Sequence, residues 1–185
     1  MAIPLKGYAA AYELLCRDLD EVLEFVEPVD ANANVFSHRI YSILLRACTE
    51  FEAICKDALV DQGYGKAPSD MNVYDYRTLE ATLQLEPISV AFVTWQSGPL
   101  RMAPFSDWSR NQPPLAWYKS YNVVKHNRHS EFAKANLLTT VESVAALFSL
   151  IAKLSNHNWS RASWTRENGS YSFLRHPFCA YGPIK

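Results

Sequence analysis

One short run of the chain holds most of the residues whose types and spacing suit chemistry. Lys119, Asn122, Lys125, His126, Arg128 and His129 all fall within Pro113 to Ser130. On a helix, Lys119, Asn122 and His126 recur at i, i+3 and i+7, which lines a cation, an amide and an imidazole along one face. Imidazole is the side chain type that exchanges a proton near neutral pH, and cations beside it stabilise negative charge as it develops on a bound anion. A purely structural role fits the same residues. His126 then bonds at a helix end, Lys125 and Arg128 complement the helix dipole, and Asn122 is a satisfied core amide.

The elements around this run follow from periodicity. Asn111 or Gln112 can cap a helix whose first turn holds Pro113 and Pro114, where no internal donor is lost. Trp117, Tyr121 and Val124 occupy the face opposite Lys119 and His126. The chain is expected to break over 127–130, with Ser130 capping a helix from Glu131 to Leu154. That helix carries one stripe of Leu138, Val141, Ala145, Phe148 and Ala152 and a second of Leu137, Val144, Leu147, Ile151 and Leu154, so it should be the central one. Its apolar part has the length of a membrane span, but Glu142, the Ser and Thr residues and the small Ala face favour a protein core.

Upstream, Tyr8, Tyr12, Leu15, Leu19, Val22 and Val26 mark an amphipathic helix from Leu5 to Val26, stopped by Glu27-Pro28. Asn34 is the expected cap of a second long helix from Val35 to Asp61, whose outer face offers Arg46 with Glu50 and Glu52 with Lys56 as i, i+4 pairs. Gly63 and Gly65 close it, and Asn72 or Asp70 caps a short helix over Thr78 to Leu85. Over 88–105 the period changes to that of a β-hairpin, and Asn168-Gly169 signals a second hairpin near 160–176. The fold class expected is mainly α: a bundle of four to five helices with a small β-hairpin layer, in one domain over 1–185.

With a formal charge of -1, the whole chain has no nucleic-acid footprint, so any anion site must be local. Cys16, Cys48, Cys55 and Cys179 lack metal-type spacing and read as buried, reduced thiols. No metal and no cofactor is called for. Asn158 and Asn168 match the glycosylation pattern, but no signal peptide is read ahead of them, and the location expected is cytoplasmic. No nucleotide loop, nucleophile elbow or HExxH is present. Arg161, Arg166, Arg175 and His176 among Trp159, Trp164, Tyr171 and Phe173 suit base stacking, or simply hairpin packing. Trp95, Trp108 and Trp159 leave open a small-ligand cleft between hairpins and bundle.

Tyr121-Asn122-Val123-Val124-Lys125-His126 with Arg128, followed by Phe132, Ala135, Asn136, Leu137 and a long apolar helix, resembles the HEPN superfamily, in particular bacterial members with a YN-x-x-KH-x-R block. The likeness covers about two thirds of the chain. It implies a helical bundle that usually forms a homodimer, RNA as partner, and in active members a metal-independent ribonuclease, plausible roles being bacterial defence or stress; no membrane partner is expected, given the polar residues of the last helix. In those terms His126 takes the proton from a ribose 2′-hydroxyl, Asn122 orients the imidazole or bonds the substrate, and Lys119 and Arg128, with Lys125 and His129, hold the phosphate. The chain departs from the family signature of an arginine followed by a histidine after four to six residues. Lys119, six residues and His126 stand in its place, and lysine lacks the planar fork that grips phosphate. A non-catalytic dimeric interaction domain of the same fold is the alternative.

Overall fold

The structure, a computed structural model, describes residues 3–110, 115–155 and 178–181. It is mainly helical, with a small antiparallel sheet, as the periodicities require. The first helix, α1 (Leu5–Leu23), turns Tyr12, Leu15, Cys16, Leu19 and Val22 inward. It stops before Val26, whose amide closes a last turn on Val22.

The second helix, α2 (His38–Asp61), begins three residues later than its apolar pattern suggests, because Ser37 rather than Asn34 accepts the bond from the Ile40 amide. The segment before it has another task. The carbonyls of Ala33 and Val35 accept from the amides of Leu138 and Leu137 at 3.0 and 2.9 Å, and Phe36 pairs with Asn136 as an isolated β-bridge. The outer cations of α2 reach across to α1: Arg46 pairs with Asp18 and Arg39 with Glu21. Glu52 accepts a hydrogen bond from Tyr118 at 2.7 Å. Gly63, at φ +74°, ends the helix where an L side chain is strained.

Two short helices follow, α3 (Val73–Tyr76) and α4 (Glu80–Leu83), joined by a 3-10 turn over Arg77–Leu79. The helical run therefore starts before Thr78. Its start is fixed by a capping box: the Asn72 side chain accepts from the helix amides while Asp75 bonds the Asn72 amide at 2.7 Å. Asp75 also accepts from Lys66 at 2.7 Å and Tyr64 at 2.9 Å. Burial pushes its carboxyl up, but those three donors outweigh burial and hold it below the ordinary carboxylate value. Its stabilising effect is thus present above the unfolded-state range and lost as pH falls through the depressed value. Asp75→Ala is expected to cost about 1–3 kcal/mol at neutral pH, and the gap to the parent should shrink in acid. Urea unfolding at the two pH values measures both; a gap that ignores pH contradicts the assignment.

The expected hairpin over 88–105 is present: β1 (Ser89–Phe92) and β2 (Leu100–Met102) run antiparallel with Val90 opposite Met102. A third strand that the sequence reading missed, β3 (Phe178–Tyr181), covers the other edge of β1 with Phe92 opposite Phe178, giving the order β2-β1-β3. The hairpin expected near 160–176 lies outside the described residues.

Beyond the sheet come α5 (Ala116–His126), the single turn α6 (Arg128–Glu131), a 3-10 turn over Phe132–Lys134 and α7 (Leu137–Leu154). The caps expected at Asn111 or Gln112 lie outside the described residues. The long helix starts at Leu137, not Glu131, and Asn136, not Ser130, caps it through the Thr139 amide at 2.9 Å. Its next free amides are those taken by Ala33 and Val35, so a distant loop completes the cap. Both apolar stripes of α7 are buried against α1, α2, α5 and β1, except Leu138, which lies outward, and Leu154, which is half-buried at the helix end. By length and composition this helix could cross a membrane, but most of it is buried within the protein. Phe148 on α7 meets Phe178 at 6.2 Å, and Phe178 meets Phe92 at 5.1 Å, which seats the sheet on the bundle. Cys16, Cys48 and Cys55 are buried and unpaired, their thiols pushed up by burial, Cys16 to about 12.

Candidate functional site

The face that α5 turns inward is built from aromatic rings. Trp117, Tyr118, Tyr121 and Val124 are buried. Trp117 stands edge-on to Phe51 of α2 at 5.1 Å and donates its indole N–H to the Pro104 carbonyl at 2.9 Å. Buried tyrosine hydroxyls need polar partners. Tyr118 donates to Glu52, and the Tyr121 oxygen accepts from Lys125 Nζ at 3.0 Å. Burial first, then the bond to Glu52, drives the Tyr118 hydroxyl far above its ordinary value, so it stays a donor. The Tyr118–Glu52 bond and the Trp117–Phe51 ring contact fix the rotation of α5 against α2.

With that face pinned, the opposite one must point to solvent. Lys119, Lys125, His126, Arg128 and His129 are exposed, and Asn122 is half-buried. Asn122 makes no hydrogen bond to His126. Among the described residues no hydrogen bond or ion pair engages the side chain of Lys119, His126 or His129. Of the expected site residues, Lys119 and His126 thus lie on the outward face of α5, Lys125 turns back to the inward Tyr121, and Arg128 and His129 follow on α6.

Two of the cations are held rather than loose. The ammonium of Lys125 lies 5.0 Å from the centre of the Tyr121 ring as well as bonding its hydroxyl. That bond, aided by the Tyr121 and Glu52 charges and opposed by burial, holds Lys125 above its ordinary value and so keeps it charged. The guanidinium of Arg128 lies over the Tyr41 ring at 5.9 Å. Nearby acid is occupied, since Glu131 pairs with Lys134 at 2.7 Å. The run from Ala116 to Lys134 thus carries four cations and one acid, although the chain as a whole is at -1.

The small-ligand cleft is not formed by the tryptophans described. Trp95 is buried and donates to Asp30 at 2.7 Å, Trp108 is buried as well, and Trp159 lies outside the described residues. The tail's arginines and aromatics over 159–176 lie outside them too. Among the described residues no group of three or more His, Cys, Asp or Glu is placed to hold a metal ion.

Sequence reasoning missed two features. The Tyr118–Glu52 bond joins residues 66 positions apart; its only local sign is a pair of inward tyrosines at i, i+3 that need polar partners. The other is Glu142, half-buried on α7, whose carboxyl is pushed up to about 7 by burial first and then by the charge of Asp107. An acid raised in the fold stabilises fully below its unfolded range, near 4.5, and loses that contribution as pH rises through 7. Glu142→Gln should therefore match the parent in acid and exceed it by about 1–3 kcal/mol above neutrality. Denaturant midpoints across that range check it; equal midpoints at every pH would refute it.

Comparison with protein-family models finds no matching family, and neither a curated protein nor a solved structure matches the chain.

Proposed function

We propose that the protein binds RNA through the outward face of α5 and the following turn, and cleaves it there without a metal. What supports this best is His126 itself: an exposed imidazole with no side-chain partner among the described residues, at the end of a helix whose other face is packed, with Lys125, Arg128 and His129 next to it along the chain. His126 takes the proton of a ribose 2′-hydroxyl, and the freed oxygen attacks the adjoining phosphorus. The bond from phosphorus to the 5′ oxygen breaks, that oxygen takes a proton from solvent, and the chain ends as a 2′,3′-cyclic phosphate and a 5′-hydroxyl. Lys119, Lys125 and Arg128 neutralise the phosphate as charge gathers on it. A homodimer that sets two such faces together doubles the local positive charge, which the near-neutral chain needs. The resemblance to HEPN proteins supports the same reading. The departure at Lys119 sets the expected rate low, because a point charge orients phosphate less strictly than a guanidinium.

Salt tests the binding half. If Lys119, Lys125 and Arg128 each neutralise a phosphate of a single strand, log affinity should fall against log salt with a slope of about -2, and each removed cation should lessen it by about 0.7. A slope near zero, or one unmoved by Lys119→Gln and Arg128→Gln, would overturn the site.

A further inference from the structure

Beside the cationic turn lies a group of rings that the cleavage chemistry does not use. Phe132, just after α6, has Phe36 at 5.6 Å, His38 at 4.9 Å and Tyr41 at 5.6 Å between ring centres. These rings are not sealed. Phe36 is 47% exposed, His38 is exposed, and Tyr41 and Phe132 are half-buried. A core would have enclosed them; here apolar surface is left facing water.

The group is also held rigidly. Phe36 sits on the segment tied to the start of α7 by the Ala33 and Val35 carbonyls and by its own bridge to Asn136. Arg128 joins the rings to the cations, its guanidinium lying over Tyr41 at 5.9 Å. Arg128 is two residues from His126, a reach of at most about 7 Å. A ligand with a flat face at the rings and a negative charge at the turn fits both.

We infer that Phe36, His38, Tyr41 and Phe132 form a stacking platform for an unpaired nucleobase, so that the RNA taken by the cationic turn is single-stranded. This rests on the RNA reading of that turn. A base within a duplex has both faces covered by its neighbours, whereas an unpaired base offers its face to an aromatic ring or a guanidinium plane. The base lies on the platform and the adjoining phosphate lies at His126. A protein partner would bring apolar side chains but not the anion that the neighbouring cations are set to meet.

The test is fluorescence anisotropy with a short 2′-O-methyl oligonucleotide, which cannot be cut, beside an abasic version of equal charge and a hairpin duplex. The parent protein should bind the single strand about tenfold or more tightly than the abasic strand, and more tightly than the duplex. Phe36→Ala and Phe132→Leu should lose that preference while keeping the salt slope. Phe36→Ala should leave the thermal midpoint unchanged, because its ring is half in solvent. Salt-sensitive binding that ignores the missing bases, or that is equal for duplex and single strand, overturns the platform and leaves the cationic site standing. Absence of binding to all three overturns the site itself, and the platform with it.

Discussion

Replacing His126 by alanine should reduce RNA cleavage about 10²–10⁴-fold while leaving the fold and the affinity for RNA nearly as they are. The contrast follows from where the side chain sits. His126 is exposed at the last position of α5 and no side-chain hydrogen bond ties it to the described residues of the bundle, so its loss removes a proton acceptor and little else; exposed substitutions of this kind fall within about 0.5 kcal/mol in stability. In the proposed site the affinity rests on Lys119, Lys125 and Arg128, which the change leaves in place. Cutting of a mixed RNA pool in EDTA, followed by end-group analysis for cyclic phosphate, measures the effect. Undiminished cutting by the variant would show that another group takes the proton, and no cutting by the parent would leave a binding module only.

The largest loss of stability should come from Phe51→Ala. Phe51 is fully buried on α2 and its ring meets those of Tyr76, Phe105, Trp117 and Tyr118 at centre distances of 6.1, 6.1, 5.1 and 6.2 Å. It joins α2 to α3, to the segment after β2, and to α5. Truncation removes the transferred area and leaves a cavity among rigid rings that cannot collapse around it, at a cost of about 3–5 kcal/mol. Near-ultraviolet circular dichroism should weaken because two of its neighbours are Trp117 and Tyr118. Site function should fall as well, since α5 loses the ring beneath Trp117. Phe51→Leu, which keeps most of the volume, should cost less than half as much. A small effect from the alanine variant would mean that the centre of the bundle lies elsewhere.

The helices and the outward face of α5 were legible because their signals are local. The 3.6-residue period alone puts Trp117, Tyr121 and Val124 inside and Lys119 and His126 outside, and the structure has them so. The change of period over 88–105 likewise gave β1 and β2. What the sequence could not show depends on residues far apart in the chain. The start of α7 moved from Glu131 to Leu137 because Ala33 and Val35 supply its missing acceptors. Arg46 has Glu50 one turn away yet pairs with Asp18 on another helix. Strand β3 is four residues long and has no period of its own; only β1 makes it a strand. The aromatic group around Phe132 draws Phe36, His38 and Tyr41 from nearly a hundred positions away, so no window of sequence contains it.

The central claim is that RNA is received on the outward turn at the end of α5. Nuclear magnetic resonance of histidine side chains in this 185-residue chain, titrated with an uncleavable single-stranded oligonucleotide, tests it most directly, because the chain has five histidines and His126→Ala and His129→Ala assign the two that matter. The result expected is that His126 and His129 shift together with a common saturation and that added salt reverses both. Saturable binding that leaves these two resonances in place would contradict it.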